Sequence, residues 1–294
     1  MTEKNSRSEV MQFRIDPATL AQLNEMARLR CQAPGAMVRS WVMDRLAQEY
    51  RVDASKLVAW REQRLREIEA TVTDDFFHGP VLVIHVLPLL SSEPVSLARA
   101  QDLRNGLAPH SRRLLRTIGH QQGNAFELTT LNGSKERESV VKLFANGRLE
   151  ILHSLLHRDQ VIIGSSMEDD IIMSVLIRSR LMVDLGVRMP LLVATALMKA
   201  KGYRLSAPPV IGPIGKGFQI DTFTTLDTYI QENALSSPGD LALLMQPVVD
   251  EIWQKGGGRG SPFFNSRDGW IGPFDTGWKE DWSRWDFDLV QTRV

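Results

Sequence analysis

Met11-Gln12-Phe13-Arg14-Ile15 alternates between apolar and polar positions, and period two is the signature of a half-buried strand. Met11, Phe13 and Ile15 take one face, with Val10, Gln12 and Arg14 on the other or at its margin. Asp16-Pro17 then ends the strand and starts a helix, Asp as N-cap and Pro as first helical residue. Leu20, Leu23 and Ala27 give that helix a narrow apolar stripe. The pattern breaks around Cys31 to Pro34, and Pro34-Gly35 opens a second helix whose apolar face is Val38, Trp41, Val42 and Leu46. Residues 9–50 therefore predict strand, helix, helix. Residues 51–74 predict a polar helical connector, with Arg61, Glu62, Arg64, Arg66, Glu67 and Glu69 interleaved with Leu57, Leu65 and Ile68.

From 75 to 273 strand-like and helix-like runs mix, which predicts an α+β chain with a larger mixed α/β domain. Val81 to Leu87 is short, β-branched and uninterrupted, as in a strand buried on both faces. Val140 to Phe144 and Leu149 to Leu152 flank Asn146-Gly147 and predict a hairpin whose two turn residues both take positive φ. Ile171 to Leu185 and Pro190 to Lys201 carry helical spacing, with Gly186 and Gly202 as C-caps. Gly256-Gly257-Gly258-Arg259-Gly260 reads as a loop. Residues 274–294 read as an acidic tail that docks through Trp278, Trp282 and Trp285. No internal repeat is found.

The 294 residues carry 35 basic and 35 acidic side chains, a balance that counts against nucleic acid as the partner of the whole chain but not of a small basic surface. Cys31 is the sole cysteine, which excludes an intramolecular disulfide and a CxxC zinc pair; it reads as a small residue at a helix end. Met1 to Val10 lacks the apolar core of a signal peptide, and Val81 to Leu90 falls far short of the roughly 20 residues that span a bilayer. The expectation is a cytoplasmic protein with no membrane partner.

Forty residues with one strand and two helices cannot enclose a sufficient core, and a lone strand has no partner nearby. Both problems vanish if two copies pair their strands antiparallel, so a homodimer is expected. On Met11-Gln12-Phe13-Arg14-Ile15-Asp16-Pro17 and Met37-Val38-Arg39-Ser40-Trp41-Val42 the segment resembles the ribbon-helix-helix family of Arc, MetJ and CopG. The resemblance implies a two-stranded ribbon in the major groove of double-stranded DNA. By position Gln12 and Arg14 would read bases, and Val10 would touch a thymine methyl. The amides of Gly35 and Ala36 at a helix N-terminus would hold a phosphate, with Arg39 beside them among the DNA-binding residues. Gly35 stands where that helix start often carries Ser or Thr, so a hydroxyl contact is lost. Met1 to Tyr50 has seven Lys and Arg against six Asp and Glu, a thin margin for neutralising phosphates.

Residues from about Trp60 to Pro273 resemble an uncharacterised domain of bacterial proteins that often begin with a Schlafen AlbA-type DNA-binding domain. The matching strings are Gly79 to Leu89, Lys142 to Glu150, Leu185 to Pro190, Lys201-Gly202-Tyr203 and Asp250 to Trp253, in that order. The resemblance implies attachment to a DNA-binding module and no particular chemistry. His153 and His157 have a zinc-compatible i, i+4 spacing, but Ser154-Leu155 stands where a metalloprotease needs its Glu, and the run reads as strand ending in loop. His85 inside an apolar strand reads as a hydrogen-bonded core histidine. Glu168-Asp169-Asp170 reads as a helix N-terminus. Gly212-Pro213-Ile214-Gly215-Lys216-Gly217 lacks the spacing and the Ser/Thr of a phosphate loop, and no GxSxG elbow or Cys–His pair is present. The chain is thus read as non-enzymatic, with no cofactor, catalytic residue or metal ligand. Arg99, Arg104, Arg112, Arg113 and Arg116 form either a second anion or nucleic-acid patch or a solvated loop face.

Three functions fit. The first is a dimeric, sequence-specific transcriptional regulator whose large domain senses a ligand or protein partner. The second is an antitoxin-like or phage-defence protein whose large domain grips a protein, and the third a nuclease or other enzyme delivered to DNA.

Overall fold

A continuous apolar strand sits at the centre of the larger part of the molecule because its two faces are needed by two different layers. The computed structural model describes residues 16–29, 54–71, 77, 79–90, 93–102, 116–131, 137–207, 213–265 and 269–270. The chain divides into two units, Met1–Asp53 and Ala54–Val294. In the first unit, helix α1 spans Pro17–Leu29. Asp16 caps it: Thr19 donates its backbone N–H to Oδ1 at 2.9 Å and its hydroxyl to Oδ2 at 2.5 Å. Those bonds hold the Asp16 carboxyl below the usual carboxylate range. Leu23 and Ala27 are buried, whereas Leu20 of the expected stripe is 45% exposed.

In the second unit, α2 (Ala54–Thr71) leads to β1 (Val81–Pro88), then α3 (Leu97–Asp102) and the strands β2 (Arg116–Gln122), β3 (Ala125–Leu131), β4 (Arg137–Phe144) and β5 (Leu149–Ser154). Short strands β6 (His157–Arg158) and β7 (Val161–Ile163) precede α4 (Gly164–Asp184) and β8 (Leu191–Met198). Next come β9 (Arg204–Ser206), β10 (Pro213–Ile214), β11 (Phe223–Thr224) and β12 (Thr228–Ile230). Helix α5 (Pro238–Lys255) and the two-residue strands β13 (Phe264–Asn265) and β14 (Gly269–Trp270) follow. The main sheet runs β11-β8-β1-β5-β4-β3-β2, with β12 also on β8. Every pairing in it is antiparallel. A smaller sheet has the order β10-β9-β7-β6.

Period two sorts β1 between two cores. Leu82, Ile84 and Val86 point with Val141, Leu143, Leu149, Ile151, Val193 and Leu197 into a core closed by α4 and α5. Val81 and Val83 point the other way, with Val140, Leu152, Ala196 and Met198, onto Leu65 and Ile68 of α2. Helix, sheet and helix pair form three layers. The α+β class expected from the mixed pattern is what the larger unit shows, its main sheet is antiparallel, and α2 packs as a layer of that unit.

The β4–β5 hairpin forms where Asn146-Gly147 places it, with one difference. The loop runs from Ala145 to Arg148, and only Gly147 takes positive φ, at 77°. Phe144 N–H bonds Arg148 O at 2.9 Å and Asn146 Oδ1 accepts from Arg148 N at 3.2 Å, so the asparagine works through its side chain. Helix α4 begins earlier than Ile171, which puts Glu168, Asp169 and Asp170 inside the helix and not at its N-terminus. Gly186 ends it at φ 87°, and Val187 N–H returns to Met182 O.

Pro190 to Lys201 corrects the sequence expectation. It is strand β8, in register with β1 from Leu191↔Pro88 to Met198↔Val81. Its eight residues are all buried, and a run apolar at every position but Thr195 has no period to tell strand from buried helix. Gly202, at φ 85°, turns the chain from β8 to β9 and caps no helix.

Candidate functional site

Ionisable side chains in this sheet face two helical layers, and there the buried charge collects. On the α2 face, Glu150 of β5 lies between His85 of β1 and Lys142 of β4. Only 1% of it is exposed. Arg64, on the third turn of α2, forks onto it: Nε reaches Oε2 at 2.8 Å and Nη2 reaches Oε1 at 2.7 Å. His85 Nε2 lies 3.3 Å from Oε2. Trp60, one turn before Arg64, covers the cluster with its ring edge-on to His85 at 5.3 Å and to Phe144 at 5.6 Å. The Arg148 guanidinium stacks over Trp60 at 4.9 Å. Burial alone would raise the Glu150 carboxyl, but the hydrogen bonds and charges of His85 and Arg64 outweigh it and hold the group at about 2. Arg64 is raised in turn, chiefly by its hydrogen bonding to Glu150. Both carboxylate oxygens are occupied, so this arrangement anchors α2 to the sheet. Arg61 with Asp227, and Glu69 accepting from Thr222, fasten the same helix at two further points.

On the opposite face, His153 Nε2 of β5 pairs with Asp170 Oδ2 of α4 at 3.2 Å. Burial pushes the His153 ring down, yet the Asp170 charge and hydrogen bond, helped by Glu138 and opposed by Arg178, leave it raised. Asp170, Ser174 and Arg178 share one stripe of α4 at i, i+4, i+8. Arg178 is 1% exposed, and burial lowers its guanidinium to about 10. A histidine polarised by a carboxylate can exchange a proton; here it also ties helix to strand. His157 has other partners: Nδ1 meets Leu155 O at 3.0 Å and the ring lies edge-on to Tyr203 at 5.3 Å. The two histidines suggested by spacing thus face different neighbours.

A third carboxylate, Glu168 of α4, is fully buried. Its Oε1 accepts from Trp253 Nε1 at 2.7 Å and Ser261 Oγ at 2.5 Å, and its Oε2 accepts from Trp270 Nε1 at 3.0 Å. Burial is the leading influence and pushes the carboxyl up to about 7, against the pull of those three donors. Gly164 makes room for the arrangement, since a Cβ there would sit 2.5 Å from the Trp253 ring.

The proposed DNA-reading residues Val10, Gln12, Arg14, Gly35, Ala36 and Arg39 lie outside the described residues, as do Arg104, Arg112, Arg113 and the 274–294 tail. Arg99 is exposed on α3, and Arg116 opens β2 opposite Leu131. Gly215 and Gly217 in the phosphate-loop-like string serve backbone packing. A Cβ on Gly215 would meet Gly256 O at 2.4 Å, and Gly217 N–H bonds that same oxygen at 3.2 Å. His85 is the hydrogen-bonded core histidine that its apolar surroundings suggested. Glu150, Asp170 and Glu168 were not singled out as site residues on their own. Glu150 carried a usable signal, since a carboxylate inside Leu149-Glu150-Ile151-Leu152 must find a partner if the strand is buried. The chain matches no family model, no curated protein and no solved structure.

Proposed function

We propose that the chain is a dimeric, sequence-specific duplex-DNA-binding regulator: a ribbon-helix-helix reader followed by a domain that modulates it. The observation that carries this reading is the start of α1. An alternating run from Met11 to Ile15 meets an Asp16 cap and Pro17, and the capped helix then leaves Leu20 45% and Met26 37% exposed. Apolar side chains left open on a 13-residue helix are what a second copy would cover. The anchored α2 supports the second half of the reading, because it follows the proposed DNA-binding segment in the chain and is fixed to the sheet by Arg64. A ligand or protein that shifted this seat would change operator affinity, typically by about 1–3 kcal/mol.

The test selects duplexes from a random pool with the full-length protein and compares Arg14→Ala on the selected site. The reading expects a loss of about 1–3 kcal/mol and relaxed preference at one base position. Unchanged affinity on both selected and random duplexes would remove Arg14 as a reader.

A further inference from the structure

We propose that the Glu168 carboxyl is a proton-operated latch on the chain after α5: protonated, it holds residues 261–265 and 269–270 against α4 and α5, and ionised, it loosens them. The inference stands apart from the DNA reading and concerns the large unit by itself.

The geometry assigns each oxygen a task. Oε1 is shared by Trp253 of α5 and Ser261, while Oε2 is held by Trp270 of β14. The segment is thus pinned at both ends by one side chain. Ser261 is fixed further: its N–H donates to Asp250 Oδ1 at 2.7 Å, and its hydroxyl oxygen accepts from Phe263 N–H at 3.0 Å. A hydroxyl can reverse its proton. When Glu168 is neutral, its own O–H on Oε1 can donate to Ser261 Oγ across the 2.5 Å separation, and both indoles keep an oxygen to donate to. When Glu168 is ionised, its described hydrogen-bond partners are neutral donors, and among the described residues the charged group whose field reaches it is another acid, Asp250 of α5. A carboxylate without a counter-charge is costly in a buried site, and lifting the segment would admit water to solvate it.

The sign follows from burial as the dominant influence. The docked carboxyl titrates at about 7 against an ordinary 4.5, so docking binds a proton that the open form releases. Docking is therefore weakest above pH 7. It tightens by up to about tenfold per pH unit as pH falls from 7 towards 4.5, and levels off below.

Hydrogen exchange of the full-length protein, corrected for intrinsic rates, tests this on the backbone amides of Ser261, Phe263, Phe264, Asn265, Gly269 and Trp270 between pH 5 and 8.5. Protection of these amides should fall through that window while β1 and β8 stay unchanged. In Trp270→Phe the ionised carboxyl loses one donor, so the midpoint should move to higher pH; a structural role for the indole would lower protection without moving it. In Glu168→Gln the pH dependence should vanish. A flat profile in the native protein, the same slope in Glu168→Gln, or an unmoved midpoint in Trp270→Phe would each overturn the latch.

Discussion

Glu150 and Glu168 are equally buried, yet their surroundings push their carboxyls in opposite directions. Glu150 gains a forked arginine and a histidine and sits at about 2; Glu168 gains neutral donors beside Asp250 and sits at about 7. A depressed folded-state value adds stability above the ordinary 4.5 that is lost as pH falls towards 2, worth about 3 kcal/mol for Glu150. Urea unfolding at pH 6 and pH 3 should show about 2 kcal/mol of that loss, the rest falling below pH 3, and Glu150→Gln should remove its share of it. Arg64→Ala leaves the carboxylate buried without its fork and should cost about 3–5 kcal/mol at pH 6. A cost below about 1 kcal/mol would mean that water replaces the guanidinium and that α2 is not anchored there. Such partners are hard to see in a sequence: Arg64 and Glu150 are 86 positions apart and meet only because α2 crosses β5.

Elements were legible where the sequence leaves one geometry open. Asn146-Gly147 fixed a hairpin because the loop needs one residue at positive φ, and Gly147 supplies it. Asp16-Pro17 fixed a helix start through a side-chain cap. Strand β8 was illegible because Leu191 to Met198 is buried on both faces, and its strand identity lies in the ladder to β1, over 100 residues away in the chain. Helix α2 reads as a polar connector, since charged residues are interleaved with its apolar ones from Arg61 to Glu69, but Ile68 is 2% exposed and closes the second face of the sheet. Ile68→Ala should therefore destabilise the larger unit by about 2–5 kcal/mol, measured by urea midpoint at constant slope. A change within about 0.5 kcal/mol would mean that α2 rests on the sheet without contributing to its core.

For the whole molecule the net charge is neutral, the small unit carries only a thin basic margin, and the sheet domain absorbs charges of its own in pairs. Arg64 with Glu150, Lys142 with Glu127 and Arg61 with Asp227 are spent in this way. The candidate site in the larger unit was legible only in its histidines, whereas its carboxylates emerge from packing that brings β5, α4 and α2 together. The account stands or falls on the pairing of two chains through the 9–50 segment. Sedimentation equilibrium of the full-length protein at micromolar concentration, alone and with one selected duplex, measures it most directly. Two chains per molecule, and two chains per duplex, are the expected result. A single chain that binds the duplex at full affinity would contradict the ribbon-helix-helix reading.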